Sequence, residues 1–164
     1  MNILQIIIRS TIVLPLLASA QECVDHINEF RARDGKGHLA ACRGNSMFMA
    51  FKGACMDRDA PPGTYHTSGE ILRNALCPDG KWLVEQNGGG GIYNPVGCTW
   101  EDQVRCWYDE KTGIASEQSC CGPNPHTTRH YDALMGDFDC VSCAMCTRGD
   151  DSATGWTANF CENN

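Results

Sequence analysis

The sequence predicts a small disulfide-rich α+β protein, secreted from the cell, on three observations. Twelve cysteines lie downstream of an apolar N-terminal segment and none lies inside it. That segment has the shape of a secretory signal, and the chain behind it switches repeatedly between short helical and short strand patterns. Arg9 is followed by an apolar run from Thr11 to Leu17 that ends at Ala18-Ser19-Ala20, a small-x-small cleavage pattern, which places the mature N-terminus at Gln21. The expected organisation is therefore a signal peptide over 1–20 and a single disulfide-rich domain over 21–164.

Twelve cysteines in the 144 residues that follow Ala20 (164 minus 20) is about one in twelve. At that density secreted chains use disulfides to replace part of a hydrophobic core. Cys23, Cys42, Cys55 and Cys77 precede the run Asn87-Gly88-Gly89-Gly90-Gly91, and Cys98, Cys106, Cys120, Cys121, Cys140, Cys143, Cys146 and Cys161 follow it. The even counts on both sides leave open two subdomains meeting at the Gly88–Gly91 loop. Adjacent Cys120 and Cys121 would strain a bond to each other and are expected to reach different partners. The Cys140-x-x-Cys143-x-x-Cys146 spacing resembles half of a zinc or redox site, but an oxidising compartment favours bridges, so no metal and no cofactor is expected.

The first element expected in the mature chain is a helix from about Val24 to Arg33. Val24, Ile27 and Phe30 share a face, Asp25 lies in the first turn, and Arg31 and Arg33 in the last suit the helix dipole. Gly35 and Gly37 end it. Met47 to Phe51 fits either a helix or a buried strand, and Asp59-Ala60-Pro61-Pro62-Gly63 is a turn. The glycines at 88–91 read as a loop or linker. Lys81 to Glu85, Thr99 to Tyr108 and Gly155 to Phe160 carry aromatic and β-branched residues between turn signals and read as short strands. Asn124-Pro125 opens a second helix, near 125–135, that closes at Gly136.

Function is less legible than fold. Without Arg9 the chain holds 12 basic against 20 acidic residues, a net charge of −8, which disfavours nucleic acid and anionic membranes as partners. His126 and His130 stand four apart, a spacing that would place both on one helix face with Asp132 and Asp137 close in sequence. No Glu follows His126 as a zinc-protease motif requires. The Cys-Cys-x-x-His-Asp dyad of secreted phospholipases A2 is absent, since Gly-Pro-Asn-Pro separates Cys121 from His126 and Thr127 follows it. No Gly-x-Ser-x-Gly turn and no phosphate loop occurs. Arg148-Gly149-Asp150 matches an adhesive tripeptide.

Tyr93, Trp100, Trp107 and Tyr108 crowd beside the glycine run, and exposed rings of this kind anchor protein partners or sugars. The expectation is a cysteine-rich extracellular binder of the effector, inhibitor or toxin kind, acting on a protein or carbohydrate without catalysis. The alternatives are a small hydrolase using His126 and His130, and an adhesive matrix component.

Overall fold

A computed structural model of the chain describes residues 3–42, 46–59, 82–89, 97–112, 129–149 and 154–162. In order, the elements are helix α1 (Ile3–Arg33), strand β1 (Ala40–Ala41), helix α2 (Ser46–Asp59), strand β2 (Trp82–Gly89), helix α3 (Trp100–Asp109), a 3-10 turn (Glu110–Thr112), helix α4 (Arg129–Met135), and strands β3 (Cys140–Thr147) and β4 (Thr154–Glu162). The four strands form one sheet in the order β1-β3-β4-β2. Only β1 runs parallel to its neighbour β3, while β4 is antiparallel to both β3 and β2. The α+β class, the leading helix and the disulfide framework are those expected. Among the described residues no helix is long and apolar enough to cross a membrane.

The sheet has two differently built faces, and strand alternation explains both. On one face the register sets Val141 opposite Phe160, Cys143 opposite Ala158 and Met145 opposite Trp156. This face joins Val24, Ile27 and Phe30 of α1, Trp100, Val104 and Trp107 of α3 and Leu134 of α4 in one core. The other face carries small side chains, with Ser142, Ala144, Gly155 and Thr157 buried against α2. Helix α2 answers with Ala50, Gly53 and Ala54, all buried at helical spacing, so the two backbones approach closely. A Cβ on Gly155 would run into the carbonyl oxygen of Ala54 and lie 2.6 Å from the Arg58 amide nitrogen. Gly155→Ala is therefore expected to cost roughly 3 kcal/mol or more, the upper range of overpacking, because backbone cannot move aside as a side chain can. Chemical denaturation checks this, and a loss under about 0.5 kcal/mol would contradict the close approach.

Three bridges converge on β3. Cys23 of α1 joins Cys143, Cys42 joins Cys140, and Cys55 of α2 joins Cys146. The interval of three in Cys140-x-x-Cys143-x-x-Cys146 has a simple meaning in a strand. Odd steps alternate faces, so Cys143 points toward α1 while Cys140 and Cys146 point the other way, and one strand is fastened on both sides. Each of these bridges links a residue before the glycine run to one after it, so they do not close within the two halves. Cys98, Cys106 and Cys161 are also bridged, and no described cysteine is free. Cys77, Cys120 and Cys121 lie outside the described residues.

Two of the expected element assignments change. Thr99 to Tyr108 is helix α3, not a strand. Thr99 Oγ1 accepts the Asp102 amide while Asp102 Oδ2 accepts the Thr99 amide, a reciprocal capping box. Trp100, Gln103, Val104 and Trp107 then recur at helical spacing on the buried side. The high strand propensity of the aromatics had masked that period, because strand propensity measures fit to a half-buried surface and not a backbone preference. Gly88 and Gly89 are likewise not loop. They extend β2, opposite Thr157 and Trp156, because ladder bonds are made by backbone alone. Gly90 and Gly91 lie outside the described residues, as does the turn at 59–63 beyond Asp59.

The ambiguous run Met47 to Phe51 belongs to helix α2. The expected end of α1 is confirmed in detail. Gly35 has φ of +72°, its amide bonds the Ala32 carbonyl and the Lys36 amide bonds the Arg31 carbonyl, which together make a Schellman cap. Asn28 then fixes the exit chain by donating to the Leu39 carbonyl and accepting the Leu39 amide, at 2.9 and 2.7 Å.

Candidate functional site

The densest chemistry in the described residues lies where the end of α1 meets α3, the 3-10 turn and α4. Helix α3 ends at Asp109, and the turn that follows swings Glu110 inward and Lys111 outward. Glu110 is 3% exposed. Its two oxygens meet His130 twice. One accepts the His130 backbone amide at 3.0 Å, and the other lies 2.7 Å from the ring Nδ1. His130 is the second residue of α4, whose first-turn amides have no partner within the helix, so the buried carboxylate serves as a cap supplied from another element. The Trp107 ring packs 6.2 Å from the His130 ring, centroid to centroid. The buried Trp107 Nε1 has no hydrogen-bond partner among the described residues.

One turn away, Asp34 gathers three donors. Lys111 Nζ reaches Oδ1 at 2.6 Å, the Tyr108 hydroxyl donates to Oδ1 at 3.2 Å, and the Tyr131 hydroxyl donates to Oδ2 at 2.9 Å. Lys111 also stands 5.6 and 5.7 Å from the centres of the Tyr108 and Tyr131 rings, within cation-π range. The hydrogen bond from Lys111, and then that from Tyr131, holds the Asp34 carboxyl below its usual value. The bond to Asp34 raises Lys111 in return. Burial, followed by the bond to Asp34, raises Tyr131.

The pH consequence has two signs. A depressed carboxyl contributes stability that is present above its unfolded value and is lost as pH falls through the folded one. A raised ammonium contributes stability that is present below its unfolded value and is lost as pH rises through the folded one. The cluster is thus expected to weaken below about pH 4 and above about pH 10, the reference values of the two groups. Asp34→Asn should flatten both limbs of a plot of melting temperature against pH. An unchanged acid limb in the variant would show that Asp34 is not a source of it.

Arg31 completes the junction. It is 2% exposed, and its hydrogen bonds among the described residues go to carbonyls. Nε donates to Gly37 at 2.8 Å, and Nη1 donates to both Leu134 and Gly136 at 2.7 Å. A residue expected to serve the dipole of its own helix instead caps the C-terminus of α4, where unpaired carbonyls and the negative end of the dipole lie. Burial pushes its guanidinium below the usual value.

The aromatic positions divide under this geometry. Trp100 and Trp107 are 2% and 1% exposed and stand in the core, not on an open surface. Small disulfide proteins have few large side chains, and these two rings fill the space between α1, α3 and the sheet, where Trp100 meets Trp156 edge-on at 4.7 Å. Trp100 Nε1 donates at 2.9 Å to Ser19 Oγ, a residue of the expected signal segment. Tyr108 is partly buried on Phe30, with ring centroids 4.9 Å apart. Tyr93 and His126 lie outside the described residues, so the expected His126–His130 pairing is not described.

Asp132 and Asp137 are exposed, and Asp137 pairs with Lys36 at 3.5 Å. Arg148 and Gly149 are exposed after β3, and Asp150 lies outside the described residues. Glu110 and Asp34 were not singled out from sequence. Nothing in the run Tyr108-Asp109-Glu110-Lys111 marks one acid as buried, since the 3-10 turn and the packing of α4 decide it.

No protein-family model matches the chain, and no curated protein matches it.

Proposed function

We propose that this is a secreted, disulfide-stapled binding protein that acts on an extracellular protein or carbohydrate without catalysis. The observation that carries the reading is the covalent framework: three bridges fasten α1, the β1 segment and α2 to the single strand β3. Bridges that close long loops hold a surface in one shape outside the cell, and a fixed surface lowers the ordering cost of binding. The signal pattern at Ala18-Ser19-Ala20 supports the compartment, and the acidic balance supports a partner that is neither nucleic acid nor an anionic membrane.

The junction chemistry also favours binding over turnover. Asp34 is taken up by Tyr108, Lys111 and Tyr131, and Glu110 by the backbone and ring of His130, so these groups hold helices together. The hydrolase alternative draws on the same pair, because a buried carboxylate against Nδ1 also orients a catalytic imidazole.

Trp100 is buried in the core, which leaves Tyr93 as the anchor of this reading. Trp107 is a core ring. The test is a mature chain starting at Gln21, secreted from a eukaryotic host and screened against arrays of extracellular proteins and glycans. Saturable binding that Tyr93→Ala weakens by about 2 kcal/mol, with the His126→Ala, His130→Ala double variant unaffected, is the expected result. Trp107→Ala should lower thermal stability in place of affinity. Turnover of an ester, peptide or glycoside substrate that falls about 100-fold in the folded double-histidine variant would replace binding with the hydrolase reading.

A further inference from the structure

Of the three bridges that reach β3, the one between Cys55 and Cys146 carries a cation against its sulfur. Arg58 Nη1 donates to the Cys146 sulfur at 3.2 Å and to the Thr147 carbonyl at 3.4 Å. The local sequence explains the placement. Cys55 and Arg58 stand three apart on α2, a spacing that puts both on one face. Cys146 is the direct partner of Gly155 in the β3–β4 register, and at Gly155 a side chain would run into the α2 backbone at Ala54 and Arg58. With none there, the last turn of α2 sits over the end of β3 and its guanidinium reaches the sulfur.

A neutral bridged sulfur gains little from such a donor, whereas a thiolate in the same place gains a charge-assisted hydrogen bond. The contact is therefore strongest once the bridge has opened. Access points the same way. Cys55 is partly exposed and Cys146 is 5% exposed, so a nucleophile from solvent meets Cys55 and must expel Cys146, the sulfur beside the guanidinium. The other two bridges each lack one of these features. Cys23 and Cys143 are both fully buried, which closes that bridge to attack. Cys42 is partly exposed, but attack there must expel Cys140, which is 6% exposed and has the bridged, uncharged Cys161 sulfur within 4.8 Å. A thiolate left at Cys140 is buried without that compensation.

We propose that Cys55–Cys146 is a thiol-exchange site that takes low-molecular-weight thiols, with Cys55 the sulfur modified and Arg58 the group that stabilises the departing Cys146. The incoming thiol loses its proton to water and its thiolate attacks Cys55 Sγ. A sulfur–sulfur bond forms between them, the Cys55–Cys146 bond breaks, and its electron pair leaves on Cys146 as a thiolate held by the guanidinium. Return attack by that thiolate on Cys55 expels the small thiol and restores the bridge, so the modification is reversible. A second thiol that attacks the outer sulfur of the mixed disulfide instead releases the Cys55 thiolate and an oxidised thiol dimer. Full opening thus consumes two thiols and delivers two electrons to the protein.

The rate follows the acidity of the leaving thiol, which a neighbouring arginine increases. Opening removes the covalent tie between α2 and β3, and α2 then rests on the sheet through the packing of Ala50, Gly53 and Ala54. The inference does not depend on what the protein binds.

The folded, fully bridged protein is incubated with dithiothreitol, sampled over time, quenched with N-ethylmaleimide and mapped by peptide mass analysis. Of the three bridges to β3, the first to gain label should be Cys55 together with Cys146. Arg58→Gln should slow that event roughly fivefold while the Cys42–Cys140 rate stays the same. Earlier label on Cys42 and Cys140 would overturn the proposal. So would an Arg58→Gln protein that opens Cys55–Cys146 as fast as the parent or faster, which is the direction in which mere loosening of the fold would act. With glutathione and an acid quench, the mixed disulfide should map to Cys55, and its appearance on Cys146 would refute the direction of attack. In a Cys55→Ser protein, alkylation of Cys146 followed against pH should have a midpoint below about 8.5, the ordinary thiol value, and adding Arg58→Gln should raise it. An identical midpoint in the two proteins would sink the role given to Arg58.

Discussion

Replacing Cys23 and Cys143 together by alanine is expected to remove about 4 kcal/mol of folding free energy. The bridge spans 120 residues of sequence. Its effective loop is shorter, because the Cys42–Cys140 bridge already brings the two chain segments together. What remains to be closed is the stretch from Cys23 to Cys42 and the step from Cys140 to Cys143. A loop of that size is worth roughly 3 kcal/mol of unfolded-chain entropy. Both sulfurs are fully buried among Val24, Ile27, Val141 and Ala158, so their loss also leaves a small cavity worth about 1 kcal/mol. Urea unfolding of the paired variant measures the total. A loss below about 1 kcal/mol would mean that the core holds α1 against β3 without the covalent tie.

Arg31→Met should cost somewhat less, about 2 to 3 kcal/mol, for a different reason. Methionine keeps much of the buried stem, but it leaves the Gly37, Leu134 and Gly136 carbonyls without the donor that satisfies them. An unsatisfied buried acceptor costs about 1 to 3 kcal/mol, a cost that falls on Leu134, since Gly37 is exposed and Gly136 half-buried. Arg31→Lys separates charge from geometry. A single ammonium retains the charge but cannot reproduce the planar fork that reaches one loop and one helix end at once, so it should recover less than half of the loss. Full recovery by lysine would show that charge near the end of α4 is what matters, and a cost of Arg31→Met below about 1 kcal/mol would remove the capping role altogether.

Legibility follows the range of the forces involved. The end of α1 at Gly35 could be read directly, because a left-handed residue at a helix end is a local requirement that glycine meets without strain. The strands expected at 81–85 and 155–160 could be read from composition, and the strands formed, Trp82–Gly89 and Thr154–Glu162, run further than composition suggests. Ladder bonds carry β2 through Gly88 and Gly89, whose residue type argues against a strand. Helix α3 was within reach of the sequence. Its Thr99-x-x-Asp102 cap and its Trp100, Val104, Trp107 period are both local signals, set against an aromatic content that favours a strand.

The site divides in the same way. His130 stands out in the sequence because it lies four residues from His126, but its partner Glu110 is twenty residues away and is selected by how α3 and α4 pack. Asp34 ends one helix and receives donors from residues 74 to 97 positions distant, a convergence that no local pattern encodes.

Read along the chain, the residues establish the α+β class, the disulfide chemistry and the helix end at Gly35, because each depends on composition or on neighbours within a few positions. Folding settles the rest. It pairs Cys23, Cys42 and Cys55 with the three cysteines of β3, draws Trp100 and Trp107 inward, turns Arg31 to another helix and brings Cys161 beside a second bridge. These are outcomes of burial and strand register, which act between segments about a hundred residues apart and depend on the face each side chain takes when the sheet closes.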